Sequence, residues 1–265
     1  VAAGDVDGDG WCDLYFCSLD GPNALYRNLG GWKFQDITDT TIACPNLAAT
    51  GAAFADLDGD GDLDLIVNSI AGGSHIFSND GQGHFERRFL LNEKKGGMSL
   101  ALADIDGDGY LDLYIANYRT SALMDMVNAR GFFKIVNGER LLDRIDGRSV
   151  TEPDLANRFV VNARGGVEEL GELDVFYRNQ SGTNFEAISF TGGAFLDEDG
   201  KALSAPPFDW GLTVTFHDIN DDRLPDIYVC NDFQSVDRIW LNLGGGRFQA
   251  LPRLAMRKSS VSSMG

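Results

Sequence analysis

The chain has 265 residues, of which 43% are hydrophobic, and a formal net charge of −18. That much apolar material can fill one large core or two average ones, which excludes a disordered acidic tail, while the charge argues against nucleic-acid or anionic-membrane partners. No apolar run reaches the length of a membrane-spanning helix, so membrane insertion is not expected, and no leader peptide is visible before Val1.

Taken in order, the chain opens on a short strand of small residues, Val1-Ala2-Ala3, that enters an acidic loop with Asp5, Asp7, Asp9 and Asp13, and leaves it through Leu14-Tyr15-Phe16. An apolar strand ending in Asn28 follows, then a glycine turn and Phe34. The same plan returns with Ala52-Ala53-Phe54, the loop Asp56, Asp58, Asp60, Asp62 and Asp64, the run Leu65-Ile66-Val67, Asn79 and Phe85. A third copy has Leu100-Ala101-Leu102, Asp104, Asp106, Asp108, Asp112, Asn179 and Phe185. The fourth has Thr213-Val214-Thr215, Asp218, Asn220, Asp222, Asp226, Asn242 and Phe248. From Asn to Phe is six residues each time, a constancy that marks one supersecondary unit repeated. The units span approximately 1–49, 50–97, 98–190 and 211–254, and 255–265, ending Ser263-Met264-Gly265, reads as the lead-in to another, so the sequence looks like a fragment.

The acidic loops carry the chemistry. Carboxylates at positions 1, 3 and 5 can curl around a hard cation, a glycine at position 6 allows the turn, position 7 offers its backbone carbonyl, and an Asp at position 9 closes the shell. The carbonyl donors are Trp11, Asp62, Tyr110 and Leu224. An EF-hand is excluded because its position 12 needs Glu, and here Val67 stands there inside a β-branched run. Up to four Ca²⁺ are expected, bringing −18 to about −10. The fourth site should be weakest, since Arg223 replaces the turn glycine and Pro225 precedes the closing Asp226.

Strand alternation, Gly and Asn turns and a period of about fifty residues predict an all-β fold, a β-propeller of four-stranded blades with calcium-binding loops between the first and second strands. From first Asp to turn Asn is 23 residues in the first two units, 24 in the fourth and 75 in the third, which places an insertion over 119–173. It is expected to be partly helical, over 121–127 and 152–159. A smaller excursion runs from Thr191 to Trp210. In an up-and-down blade both excursions leave from the end opposite the calcium loops.

These loops, D-x-D-x-D-G-x-x-D with N-x-G-x-G-x-F turns, resemble the FG-GAP or VCBS repeats of integrin α-like propellers, and look most like the cartilage acidic protein family, whose members often carry an ASPIC/UnbV segment downstream. The resemblance implies about seven blades, of which four are countable here, and a secreted or cell-surface module (periplasmic or outer-surface if bacterial). The millimolar calcium such loops suit points to the same exterior. On the elaborated face Asn117, Tyr118, Arg119, Asp209, Trp210, Asn231, Asp232 and Phe233 could line a contact surface for a protein or glycan. The favoured reading is adhesion or protein interaction. The alternative is a carbohydrate-binding domain or the propeller of a polysaccharide-degrading enzyme, which would need an acid and base such as Glu168 or Glu169 with Asp209. No nucleophile elbow, zinc motif or phosphate loop is present, and no catalytic residue is singled out. Cys12, Cys17, Cys44 and Cys230 fit neither a zinc set nor a redox pair; Cys17 and Cys230 hold equivalent positions and read as small strand residues. The sequon at Asn179 falls on the shared turn position.

Overall fold

Short runs of alternating or continuous apolar residues between glycine turns favour antiparallel strands, and strands dominate the chain. The computed structural model describes residues 1–122, 130–162, 164–232 and 235–252. The first sheet contains β1 (Ala2–Gly4), β2 (Asp13–Phe16), β3 (Ala24–Asn28) and β4 (Phe34–Asp36), and a single helical turn, α1 (Thr40–Ala43), leads out of it. The second contains β5 (Ala48–Ala55), β6 (Asp64–Ile70), β7 (Ser74–Asn79) and β8 (Phe85–Leu91). The third starts with β9 (Gly97–Ala103) and β10 (Asp112–Asn117). It is interrupted by β11 (Gly131–Val136), β12 (Glu139–Ile145), β13 (Arg148–Ser149), β14 (Phe159–Val161), β15 (Val167–Glu169) and β16 (Glu172–Leu173), then finished by β17 (Val175–Asn179) and β18 (Phe185–Ile188). After β19 (Phe195–Leu196) and β20 (Phe208–Asp209), the fourth sheet contains β21 (Gly211–His217), β22 (Asp226–Asn231), β23 (Arg238–Asn242) and β24 (Phe248–Ala250).

Within each sheet the strands lie side by side in chain order, as antiparallel meanders. β19 adds a fifth strand parallel to β24. The first strands of successive sheets pack on one another, β1 on β5, β5 on β9 and β9 on β21, so the four sheets fan out from their inner edges like propeller blades. Small residues such as Ala52, Ala53 and Ala101 let these inner strands approach.

The core lies in the joints between sheets. Val6, Tyr15 and Leu25 of the first sheet meet Leu65, Val67, Phe77 and Phe85 of the second. Leu57, Ile66 and Ile76 of the second meet Leu113, Ile115, Tyr177 and Phe185 of the third. Ile105, Tyr114 and Phe176 of the third meet Ile227, Val229, Trp240 and Phe248 of the fourth, with Phe190 and Phe195 from the excursion filling the rim. This arrangement explains why β6 and β10 are continuous apolar runs: both faces are covered, so every residue of β10 is buried.

The insertion departs from expectation. Its described part is strand-rich, with β11, β12 and β13 in one sheet, β14 paired to β15, and β16 paired to β20 of the second excursion. The helix expected over 152–159 is a set of turns: Leu155 and Ala156 donate to the Glu152 carbonyl, but Asn157 is left-handed (φ 59°) and ends the coil before Arg158 turns inward. Of the helix expected over 121–127, residues 123–127 lie outside the described residues, as do Phe233 and the lead-in 255–265.

Candidate metal centres

Each acidic loop is held in shape by its own carboxylates. At position 1, Asp5 accepts the N–H groups of Asp9 (3.1 Å) and Gly10 (2.8 Å), and Asp104 accepts those of Gly107 (2.8 Å), Asp108 (3.1 Å) and Gly109 (3.0 Å). Asp56 and Asp218 do the same for Gly61 (3.1 Å) and Arg223 (2.8 Å). At position 5, Asp9, Asp60, Asp108 and Asp222 each accept the N–H two residues on, at 2.9 Å. The position-6 residue is left-handed throughout: Gly10, Gly61 and Gly109 at φ 87° to 94°, and Arg223 at 71°. The fourth loop therefore keeps the fold of the others while carrying a side chain, and Asp221 (φ 65°) adds a second non-glycine in that region.

The closing Asp is a buried staple. Asp13, Asp64, Asp112 and Asp226 each accept from the position-2 N–H of their own loop (Val6, Leu57, Ile105, Ile219) on one oxygen, at 2.9 to 3.2 Å. Their other oxygen accepts from the turn Asn N–H (Asn28, Asn79, Asn179, Asn242) at 2.7 to 3.0 Å. Burial outweighs those bonds and raises the pKa of Asp13, and pushes Asp64 and Asp112 up to about 6. A divalent ion beside these carboxylates would hold them ionised.

The donors fit a hard cation. Carboxylate oxygens of Asp5, Asp7 and Asp13 lie within 4.8 Å of one another, as do those of Asp56, Asp58 and Asp64, and of Asp104, Asp106 and Asp108. Oxygens on a calcium shell of 2.3–2.6 Å radius can be no more than about 5 Å apart. No His or Cys joins these clusters, which disfavours zinc. In the first loop Arg27 pairs with Asp7 (2.5 Å) and Asp9 (3.0 Å), and in the third Arg178 pairs with Asp106 (3.2 Å). Ser78 holds the equivalent place in the second sheet, and there Asp58 Oδ1 is buried with no hydrogen-bond partner. Asp58 belongs to the acidic cluster with Asp56 and Asp64, and an orphaned carboxylate oxygen there is an atom a cation could satisfy.

The turn Asn links each loop to its neighbour. Asn79 Nδ2 donates to the Val6 carbonyl at 2.8 Å, Asn179 to Leu57 at 2.7 Å and Asn242 to Ile105 at 3.1 Å, each time reaching position 2 of the preceding loop. The same amides also donate to Leu63, Leu111 and Pro225 of their own loops. Asn179 is buried in this role, so its sequon is structural. A Cβ at Gly182 would run into the Asp58 backbone, which is why the turn needs glycine there.

The elaborated face is more closed than the sequence suggested. Asn117, Trp210 and Asn231 are buried. Asn117 bonds Asn92, Asp174 and the Leu173 carbonyl; Asn231 bonds Asp237 and Val236. Arg119 caps the carbonyls of Leu170 and Gly171, Asp209 pairs with Arg238, and Tyr118 packs edge-on to Trp210 while donating to Asp232 at 3.0 Å. The structure thus joins Tyr118, Trp210 and Asp232 under the excursions, while the polar groups of Asn117, Arg119, Asp209 and Asn231 bond residues outside the set and Asn231 Oδ1 is buried without a partner. Glu169 is buried against Arg158 at 2.5 Å and Asp209 pairs with Arg238, so these two of the acids envisaged on this face are held in ion pairs, while Glu168 is half-buried on β15. His75 is buried with Nε2 at 3.2 Å from the Gly72 carbonyl, and all four cysteines are free thiols. The sequence reading missed the Tyr114–Asp174 bond (2.9 Å), whose members are sixty residues apart, and Lys95, which reaches across to the Leu173 carbonyl. No helix among the described residues is long and apolar enough to cross a membrane.

An all-β chain of propeller-like sheets joined through acidic hairpins is the class that this architecture defines. The family model for the FG-GAP-like repeat matches residues 5–67 and 59–115, so the stretch that holds the first three acidic loops is similar to FG-GAP-like repeats. No curated protein matches the sequence. Among solved structures, the chain is similar to one described by its structural basis of specific recognition of non-reducing terminal N-acetylglucosamine, an Agrocybe aegerita lectin. The identity is 17% and the TM-score 0.34, over 94% of this chain and 65% of that one. At that TM-score the likeness carries neither fold nor ligand to this chain, which spans about two thirds of the lectin's length.

Proposed function

We propose that the chain is a calcium-stabilised, extracellular β-propeller module for adhesion or protein interaction, related to integrin α-like and cartilage acidic protein propellers and part of a ring of about seven blades. The carrying observation is the coupling of loop to joint. The position-2 residue that binds the closing Asp through its N–H is the one whose carbonyl receives the next sheet's turn Asn. A cation that fixes the loop therefore fixes the contact between neighbouring blades. Ca²⁺ would be held by Asp5, Asp7, Asp9 and Asp13 with the Trp11 carbonyl, and by the matching residues of the other three loops. Such an ion supplies charge neutralisation and a fixed hairpin, with no reaction attached.

The partner would dock on the face of the 119–173 insertion, where Phe132, Ile135 and Leu141 of the β11–β12 hairpin are exposed. Calcium titration by calorimetry tests the first part: saturable binding with a higher melting temperature is expected, and unchanged melting in EDTA would overturn it. Deleting 119–173 should abolish capture of the partner while leaving calcium binding intact; capture that survives the deletion would move the site elsewhere.

A further inference from the structure

The joint between the first and second sheets contains a recess of about 460 Å³, a volume within the range of small-molecule sites. α1 and the link 44–47 carry the chain from one sheet to the other and contribute Thr41, Cys44 and Leu47 to its lining; the second sheet contributes His75, Phe77 and Arg87. At the joint of the third and fourth sheets the connecting segment instead packs Phe190 and Phe195 into the core. None of the acidic loops takes part in the recess.

Two of the lining residues are not required by the repeat. Phe77 lies opposite Arg87 across the β7–β8 pair, and the matching pairs of the third and fourth sheets are Tyr177 with Ala187 and Trp240 with Ala250. A joint-facing place that takes alanine there carries a guanidinium here. Although acids outnumber bases by 40 to 22, Arg87 makes no hydrogen bond or ion pair among the described residues. The nearby carboxylates are Asp39, engaged by the Thr41 and Ile42 N–H groups at 2.6 and 3.1 Å, and Glu93, which is exposed. The second residue is His75, whose place in the other sheets is taken by Ala24, Val175 and Arg238. Its ring stacks on Phe77 (6.1 Å between centroids, 16° between planes), and its Nε2–H donates to the Gly72 carbonyl at 3.2 Å. Burial, and less strongly Arg87, lower its pKa, so the imidazole is neutral at pH 7 and forms a flat wall with Phe77.

We propose that this recess binds a small organic carboxylate, its head on Arg87 and its apolar body against His75, Phe77 and Leu47. A single planar guanidinium matches a carboxylate through two parallel N–H···O bonds. Phosphate and sulfate carry more charge, and with Asp39 and Glu93 beside one arginine a dianion is disfavoured. The Thr41 hydroxyl, which makes no hydrogen bond among the described residues, lines the same recess and is a further donor for the head.

Phenylacetate is the probe, titrated into the full chain in calcium buffer. Saturable heat at micromolar to millimolar concentrations is expected by calorimetry, together with a shift of the His75 ring protons by NMR. His84 and His217, the other two histidines, lie outside the recess and should not move. Arg87→Ala installs the residue that the third and fourth sheets carry at this place, so its melting should match the wild type while phenylacetate binds about ten- to a hundredfold more weakly. Phenylethyl alcohol, an apolar body without the charge, should bind the wild type more weakly by a similar factor. Absence of heat and of a His75 shift at millimolar phenylacetate would overturn the proposal, as would equal affinity in Arg87→Ala or equal affinity for the alcohol. Inorganic phosphate that moves His75 as strongly as phenylacetate would overturn it too, since charge alone would then suffice. Should Arg87→Ala fail to fold, Arg87→Gln reads the same contact.

Discussion

Replacing Asn179 by Ala tests whether the turn Asn clasps the sheets together. The amide makes three bonds in a buried setting: Nδ2 to the Leu57 carbonyl (2.7 Å) and to the Leu111 carbonyl (3.2 Å), and Oδ1 from the Gly182 N–H (2.9 Å). Truncation leaves the Leu57 carbonyl and the Gly182 N–H without partners in buried settings and the Leu111 carbonyl in a part-buried one, at about 1–1.5 kcal/mol for each buried group and less for the third, or roughly 2–4 kcal/mol in all. Against a domain stability of about 5–15 kcal/mol that is a large loss. Asn28→Ala removes chemically the same residue, but its bonds to Cys12 and Gly30 are half-exposed and water can replace them, so about 1 kcal/mol is expected. Urea unfolding of both variants in saturating calcium, followed by tryptophan fluorescence, gives the comparison. Equal losses, or a larger loss for Asn28→Ala, would refute the idea that the bond across the joint matters more than the bond within the turn.

Other outcomes follow from the same geometry. Removing calcium should lower stability by about 2.7 kcal/mol for each site that was filled at a hundredfold excess over its Kd, measured as the shift of the urea midpoint between calcium and EDTA. Gly61→Ala should cost about 1–2 kcal/mol purely through the left-handed backbone, because its Cβ would meet nothing within 4 Å; Arg223→Gly should shift stability the other way by less. Burial pushes the Asp174 carboxyl up to about 7 despite bonds from Tyr114 and Asn117, with Lys95, Asp209 and Arg238 as the charges around it. Its folded pKa lies above the unfolded value of 3.8, so the stability it contributes is present below pH 4 and is lost by about 1.4 kcal/mol per unit as pH rises towards 7. The stability difference between wild type and Asp174→Asn should therefore shrink over that window, and a difference flat with pH would count against a protonated Asp174.

The repeated Asp loops, the small inner strands and the Asn-to-Phe turns were legible because each is a local pattern. A carboxylate set spaced by two residues curls on itself wherever glycine permits, and alternation fixes which strand faces are apolar. The insertion's limits were legible too, from a break in spacing. Its strand character was not, because short apolar runs such as Phe132-Phe133 are ambiguous between strand and helix until a partner strand is found, and β16 finds its partner in β20 across the second excursion.

What the sequence by itself determined, then, is the unit: hairpin chemistry, strand order and the oxygen-only donor set. Only the tertiary structure decided how units meet. The bonds that join them connect residues 73, 122 and 137 positions apart, and whether a polar side chain such as Asn117 or Asp209 faces solvent or a neighbour depends on which segments close over it. Burial and long-range hydrogen bonding are properties of the packed chain, and no local pattern carries them.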